Sequence, residues 1–277
     1  FHCYQGDFPY SWEGVSLRLG DLSALRQAGC AWVTGASSGI GAAVSRRLIQ
    51  DGWVVAGSAR NSAKLDAIKA ELGGQFYACP LDITHDTSLI TNFEKVEAAH
   101  GPVTLAILNA GIYETGASEV FDHEATTKIF ETNVLGTINS LGLVVKKMIA
   151  RRGGQIAVMS SLAGYRGLPY SAGYCASRAA TLVLAESLRE HCHAHGVKLQ
   201  VITPGFVDTP MTAKNTFQMP FLITPEVAAN RIVDGLDGGR FEITFPWRLS
   251  ILMKILRVLP YWIYFPLIRH LIRSPAA

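Results

Sequence analysis

Tyr174 and Arg178 stand four residues apart in the stretch Tyr-Cys-Ala-Ser-Arg-Ala-Ala, so on a helix a phenol and a cation share one face. A phenol can protonate an oxygen on which negative charge is forming if its own anion is stabilised, and a positive charge one turn away supplies that stabilisation. Lysine is the usual cation for such tuning. Arginine keeps the charge and can still donate hydrogen bonds, but it is bulkier and does not hand on protons as an ammonium does. A second chemical signal lies near the start, where an apolar run ends in Thr34-Gly35-Ala36-Ser37-Ser38-Gly39-Ile40-Gly41 and leads into a stretch of helical period. Glycines at such a turn let the backbone bend tightly, approach a pyrophosphate and pack helix against strand, while the helix start offers free N–H groups to an anion. Each feature also has an ordinary reading, in which Tyr174 is a half-buried aromatic and the glycines only end a strand.

The elements that must position these residues follow from periodicity. Short apolar runs at 30–34, 53–58, 76–80, 104–109, 155–160, 198–203 and 241–245 alternate with helical stretches near 39–51, 62–72, 86–99, 122–151, 172–194 and 225–237. The runs are continuously apolar, as burial on both faces requires. They predict an α/β fold, a Rossmann-like doubly wound parallel sheet of about seven strands in a single domain with a C-terminal amphipathic helical tail. The expected divisions are an N-terminal extension of unclear role at 1–27, a dinucleotide-binding domain at 28–246, and the tail at 247–277. In such a sheet the ligand lies beyond the carboxyl ends of the strands, at the switch point.

Strand two ends Gly57-Ser58-Ala59-Arg60-Asn61, with no carboxylate to bond a ribose 2′-hydroxyl. Arg60 offers a charge-assisted fork to a 2′-phosphate, which favours NADP (NADPH) over NAD; taken alone it reads as a solvated loop residue.

The glycine spacing G-x-x-x-G-x-G, Asn109-Ala110-Gly111 closing strand four, Ser161 closing strand five, Tyr174 thirteen residues later, and Pro204-Gly205 after strand six occur in one order. On these motifs residues 30 to 245 resemble the short-chain dehydrogenase/reductase family. The resemblance implies a cofactor held by Gly35, Ser37, Ser38, Gly39, Ile40 and Gly41, with Asp82 and Ile83 flanking the adenine. Asn109, Ala110 and Gly111 would back the adenosine ribose, and Val207 and Thr209 would hold the nicotinamide carboxamide. It further implies Tyr174 as acid/base, Ser161 as the hydroxyl on the substrate oxygen, and Asn133 as the support of a water-linked proton path. Arg178 stands where the family has a lysine that tunes the phenol and hydrogen-bonds the nicotinamide ribose. Restoring lysine at 178 is therefore expected to raise turnover. The same departure keeps a second reading open, a catalytically weak NADP-binding sensor or assembly subunit. The leading reading is an NADP-dependent oxidoreductase interconverting ketone and secondary alcohol on a lipophilic substrate. Family likeness also implies a homo-oligomer, dimer or tetramer, built on the helices near 122–151 and 172–194.

The bulk numbers agree with an enzyme of this kind. The 277 residues are 49% hydrophobic and 17% charged, with a mean hydropathy of +0.21, more apolar than most globular chains. Residues 240–277 carry six Arg and Lys against Glu242 alone, a net +5 within a total of +3, so the remainder is −2, and nucleic acid is not an expected partner. Five scattered cysteines without a C-x-x-C pair and no signal-peptide layout suggest reduced thiols and a cytoplasmic location. His191 and His195 share a helix face, but no acidic ligand accompanies them and no metal is expected. After Pro204-Gly205, the residues Phe206, Met211, Phe217, Met219, Phe221, Leu222 and Ile223 read either as an apolar cover over the substrate or as packing on the body. In the tail, Ile251, Leu252, Ile255, Leu256 and Leu259 form one predicted apolar face, with Ser250, Lys254 and Arg257 opposite and a break at Pro260. That pattern suits peripheral contact with an anionic membrane surface or a subunit interface.

Overall fold

The computed structural model describes residues 21–114, 121–215 and 218–273; Phe217 and residues 1–20 of the N-terminal extension lie outside them. Seven parallel strands, β1 (Cys30–Thr34), β2 (Val55–Ala59), β3 (Phe76–Pro80), β4 (Val103–Leu108), β5 (Gly154–Met159), β6 (Val197–Pro204) and β7 (Glu242–Phe245), form one sheet in the order β3-β2-β1-β4-β5-β6-β7. The helices are α1 (Leu22–Ala28), α2 (Gly39–Gln50), α3 (Ser62–Leu72), α4 (Asp86–His100), α5 (His123–Phe130), α6 (Gly136–Arg151), α7 (Ala172–Ala194), α8 (Pro225–Asp237), α9 (Trp247–Val258) and α10 (Tyr261–Arg273). Two details depart from expectation. α1 was not foreseen; seven residues are too few to show a period, and its start depends on Asp21, whose carboxylate accepts from the Ser23 and Ala24 N–H groups. The helix expected over 122–151 is interrupted by a π-helical turn at Glu131–Leu135, which periodicity could not reveal.

The continuous apolar runs bury both faces of the sheet. Cys30 and Trp32 of β1 face one core with Phe93 of α4, Val144 of α6 and Leu182 of α7, whereas Ala31 and Val33 face the other with Leu48 of α2 and Ile232 of α8. Trp32 meets Phe93 edge to face at 5.3 Å and donates its indole N–H to Ser58 Oγ at 2.8 Å, so its one polar atom is satisfied inside the core. Gly57 is required on β2 because a Cβ there would lie 2.2 Å from the Phe76 ring.

The tail packs differently from its predicted face. Leu249, Ser250, Met253 and Leu256 of α9 are buried against the body, and Ile251, Leu252 and Ile255 are each 51% exposed. Ser250 is on the inside because Thr244 Oγ1 donates to its hydroxyl at 2.9 Å. The chain breaks at Leu259-Pro260 as expected, and Tyr264 of α10 is buried with its hydroxyl donating to the Gly167 carbonyl. No helix among the described residues is long and apolar enough to cross a membrane. Met253→Ala should therefore cost about 2–4 kcal/mol in urea denaturation, from lost burial and the cavity left behind, whereas Ile251→Ala should stay within about 0.5 kcal/mol.

Candidate active site

β1 and β4 are neighbours in the sheet although β2 and β3 come between them in sequence, so the chain leaves their carboxyl ends in opposite directions and opens a crevice there. Thr34 ties the two ends together: its hydroxyl accepts from the Asn109 and Ala110 N–H groups, each at 3.0 Å. Asn109 answers by donating through Nδ2 to the Thr34 and Gly35 carbonyls at 3.0 and 3.3 Å. Gly35 and Gly39 have positive φ, and a Cβ on Gly41 would lie 2.3 Å from the Gly35 carbonyl oxygen, so the turn and the start of α2 need glycine at these points. Ser38 caps α2 without a side-chain hydrogen bond.

The crevice is a cleft of about 310 Å³. Gly35, Ser37, Ser38, Gly39, Ile40, Arg60, Asp82, Ile83, Asn109, Ala110, Gly111 and Thr209 line it, all drawn from the predicted set. Arg60 is exposed at its rim and forms no ion pair among the described residues. Burial raises the Asp82 carboxyl, but hydrogen bonds from the Thr84 N–H and hydroxyl, at 2.9 and 2.8 Å, and the charges of Arg60 and His85 outweigh it and hold Asp82 below its ordinary value. Three predicted residues also have structural roles: Gly41 is a packing contact, Val207 is buried in the core, and the side chain of Asn109, which lines the cleft, bonds the β1 turn.

Beyond β4 and β5 stand the other predicted residues. Asn133 is fully buried in the π-turn; its Oδ1 accepts from the Ile112 N–H at 2.7 Å, and its Nδ2 donates to the Ile112 carbonyl and to Ser177 Oγ at 3.0 and 3.1 Å. The π-turn thus lets one amide clamp the segment leaving β4. Tyr174 is half-buried on the first turn of α7, edge to face with Tyr113 at 5.1 Å. Arg178, 2% exposed, carries its guanidinium 5.1 Å from the Tyr174 ring centroid. Its Nη1 donates to the Met159 carbonyl at 3.2 Å, and a Cβ on Gly111 would lie 2.4 Å from its Nη2, so glycine at 111 is what admits an arginine here. Its Nε has no hydrogen-bond partner, and the cation forms no ion pair among the described residues. Ser161 follows β5; its hydroxyl accepts from the Ala163 N–H at 3.2 Å and donates to the Pro204 carbonyl at 3.3 Å, a long bond.

Sequence reasoning missed Thr34, Ser177 and Tyr113, and the cleft residues Ser58 and Thr132. Thr34 heads the quoted glycine stretch and Ser177 lies within the Tyr174 motif, so proximity was an available signal; nothing marks Tyr113. Of the apolar segment after β6, Phe206 and Ile223 pack on the body, Met211 lines the cleft, and Phe221 and Leu222 are exposed, Phe221 with φ +57°. His191 and His195 lie 4.6 Å apart, and no group of three potential metal ligands occurs among the described residues.

The strand order, the glycine turn and the clustered strand ends place the chain among Rossmann-like α/β proteins. Residues 29–219 match the short chain dehydrogenase family; the chain belongs to that family and is an oxidoreductase. It is 35% identical over 233 residues to an uncharacterized oxidoreductase of Myxococcus xanthus, covering 83% of this chain and 92% of the relative. It is 31% identical over 213 residues to the 3-oxoacyl-acyl-carrier-protein reductase FabG of Escherichia coli, covering 77% and 85%. A short-chain dehydrogenase of Burkholderia cenocepacia, solved in complex with NADP, superposes with a TM-score of 0.75 at 25% identity, covering 90% of this chain and 98% of that one.

Proposed function

We propose that this chain is an NADPH-dependent reductase of lipophilic ketones. The observation that carries the reading is the buried, carboxylate-free Arg178 guanidinium set against the Tyr174 ring at the ends of β4 and β5. An unpaired buried cation is costly unless it serves an anion or a polar ligand. The phenolate left when Tyr174 gives up its proton is such an anion. A dinucleotide suits the site on three counts: the glycine turn leaves no side chain between the backbone and a phosphate, Arg60 waits unpaired at the rim, and Arg178 Nε lacks an acceptor such as a ribose hydroxyl.

When bound, NADPH supplies the hydride. Tyr174 delivers the proton from its hydroxyl to the substrate oxygen, and Arg178 stabilises the charge that stays on the ring. Ser161 can turn its hydroxyl from the Pro204 carbonyl, a weak bond at 3.3 Å, to the oxygen as it gains charge. Asn133 holds the Ile112 backbone and so keeps the floor beside Gly111 in place. The apolar side chains of Met211, Phe221 and Leu222 favour a hydrocarbon-bearing substrate, and the Escherichia coli relative's 3-oxoacyl substrate is of that class. Exposed Leu135, Ile138 and Val183 on and beside α6 and α7 support a homo-oligomer built on those helices.

Tyr174→Phe should lower kcat about a thousandfold in NADPH oxidation with long-chain 3-ketones while NADPH affinity holds, since only the proton donor leaves. Full activity in that variant would remove Tyr174 from the mechanism. For residue 178 the packing supports the opposite of the expected rise. A lysine cannot reproduce both the bond to Met159 and the stacking on Tyr174, so Arg178→Lys should lower kcat about tenfold and shift the pH–rate profile; an increase would show that arginine is a poor substitute after all. Arg60→Asp should weaken NADPH at least about tenfold relative to NADH, as read by fluorescence titration.

A further inference from the structure

The outer face of the tail is apolar and uncovered. Trp247, Ile251, Ile255 and Val258 recur at helical spacing along α9 and are between 51% and 76% exposed; Trp262, at 77%, and Phe265, at 56%, continue the exposure on α10. The tail is not a loose peptide that could bury this face by rearranging. Arg166, in the segment between Ser161 and Tyr174, donates to the Arg257 and Leu259 carbonyls at 3.2 Å each, and its guanidinium lies 4.5 and 4.3 Å from the Tyr261 and Tyr264 ring centroids. With Met253, Leu256 and Tyr264 buried beneath it, the tail is packed on the body with its greasy side outward among the described residues.

Charge decides what covers it. Residues 247–273 contain Arg248, Lys254, Arg257, Arg269 and Arg273 and no acidic residue. On α9, Arg248 and Lys254 are exposed on either flank of the apolar stripe, Lys254 paired with Glu242 of β7, and on α10 Arg269 extends the row of Trp262 and Phe265. A two-fold contact between copies of this chain would set the stripe and its cations against themselves, with no acid in the segment to match them. Lipid headgroups carrying negative charge meet both needs, and tryptophan is favoured at the headgroup level. We propose that the outer face of α9 and α10 docks on an anionic membrane surface, without crossing it.

Cosedimentation of the full chain with vesicles tests this independently of turnover. Binding is expected to vesicles of equal parts phosphatidylglycerol and phosphatidylcholine, much less to phosphatidylcholine alone, and should weaken as salt is raised. The double variant Ile251→Asp, Ile255→Asp changes only exposed side chains, so its thermal midpoint should stay near the parent's while its vesicle affinity falls at least about tenfold. Arg248→Ala with Arg269→Ala should flatten the salt dependence. Absence of pelleting with any lipid, or equal pelleting of the aspartate variant, overturns the proposal. So does an oligomer that dissociates in that variant without vesicle binding, which would make the face a contact between copies.

Discussion

Everything at the site depends on the seam between β1 and β4. Adjacent parallel strands whose connections leave toward opposite faces must part at their carboxyl ends, and an open seam between two twisted strands would be free to splay. Thr34 and Asn109 close it with four hydrogen bonds to and from backbone groups, so the two strand ends move as one piece. The glycine turn, the start of α2 and the Asn109–Gly111 segment are all anchored to that piece. At the glycine turn the cleft is consequently walled by backbone, which suits a ligand recognised through phosphates.

The second constraint is the burial of Arg178. A guanidinium is larger than an ammonium, and the space it takes is left by Gly111, where any side chain would collide with it. The surrounding acceptors are sparse, with one carbonyl at the end of β5 and the face of one aromatic ring. A site designed only for stability would have filled this space with an apolar side chain. The under-satisfied cation next to a phenol is the arrangement on which the proposed role of Tyr174 and Arg178 rests.

The tail shows one helix serving two solvents. Apolar residues on α9 fall on both the inner and the outer face, so the sequence pattern contains two overlapping stripes. The inner stripe completes the core beneath β5 to β7, and Arg166 links its end to the loop that carries Ser161 toward Tyr174. Whatever the outer stripe meets is therefore linked, through Arg166, to the segment between Ser161 and Tyr174.

The alternation of buried runs and helical stretches determined the class of fold, and the spacing of Gly35, Asn109, Ser161 and Tyr174 determined which strand ends to search, because both are local patterns that survive in one dimension. Boundaries moved by a few residues, as for β2, which starts at Val55 and not Trp53, since hydrogen-bond partners and not hydropathy set strand ends. Tertiary structure alone decided the rest. It put Asn109 on the β1 turn and buried Asn133 in a π-turn, because only the folded chain shows which backbone groups lack partners. It also put Leu256 of the predicted apolar face inward with Leu249, Ser250 and Met253 and left Ile251, Leu252 and Ile255 exposed, because α9 carries apolar residues on two sides and only the shape of the body beneath says which side is covered.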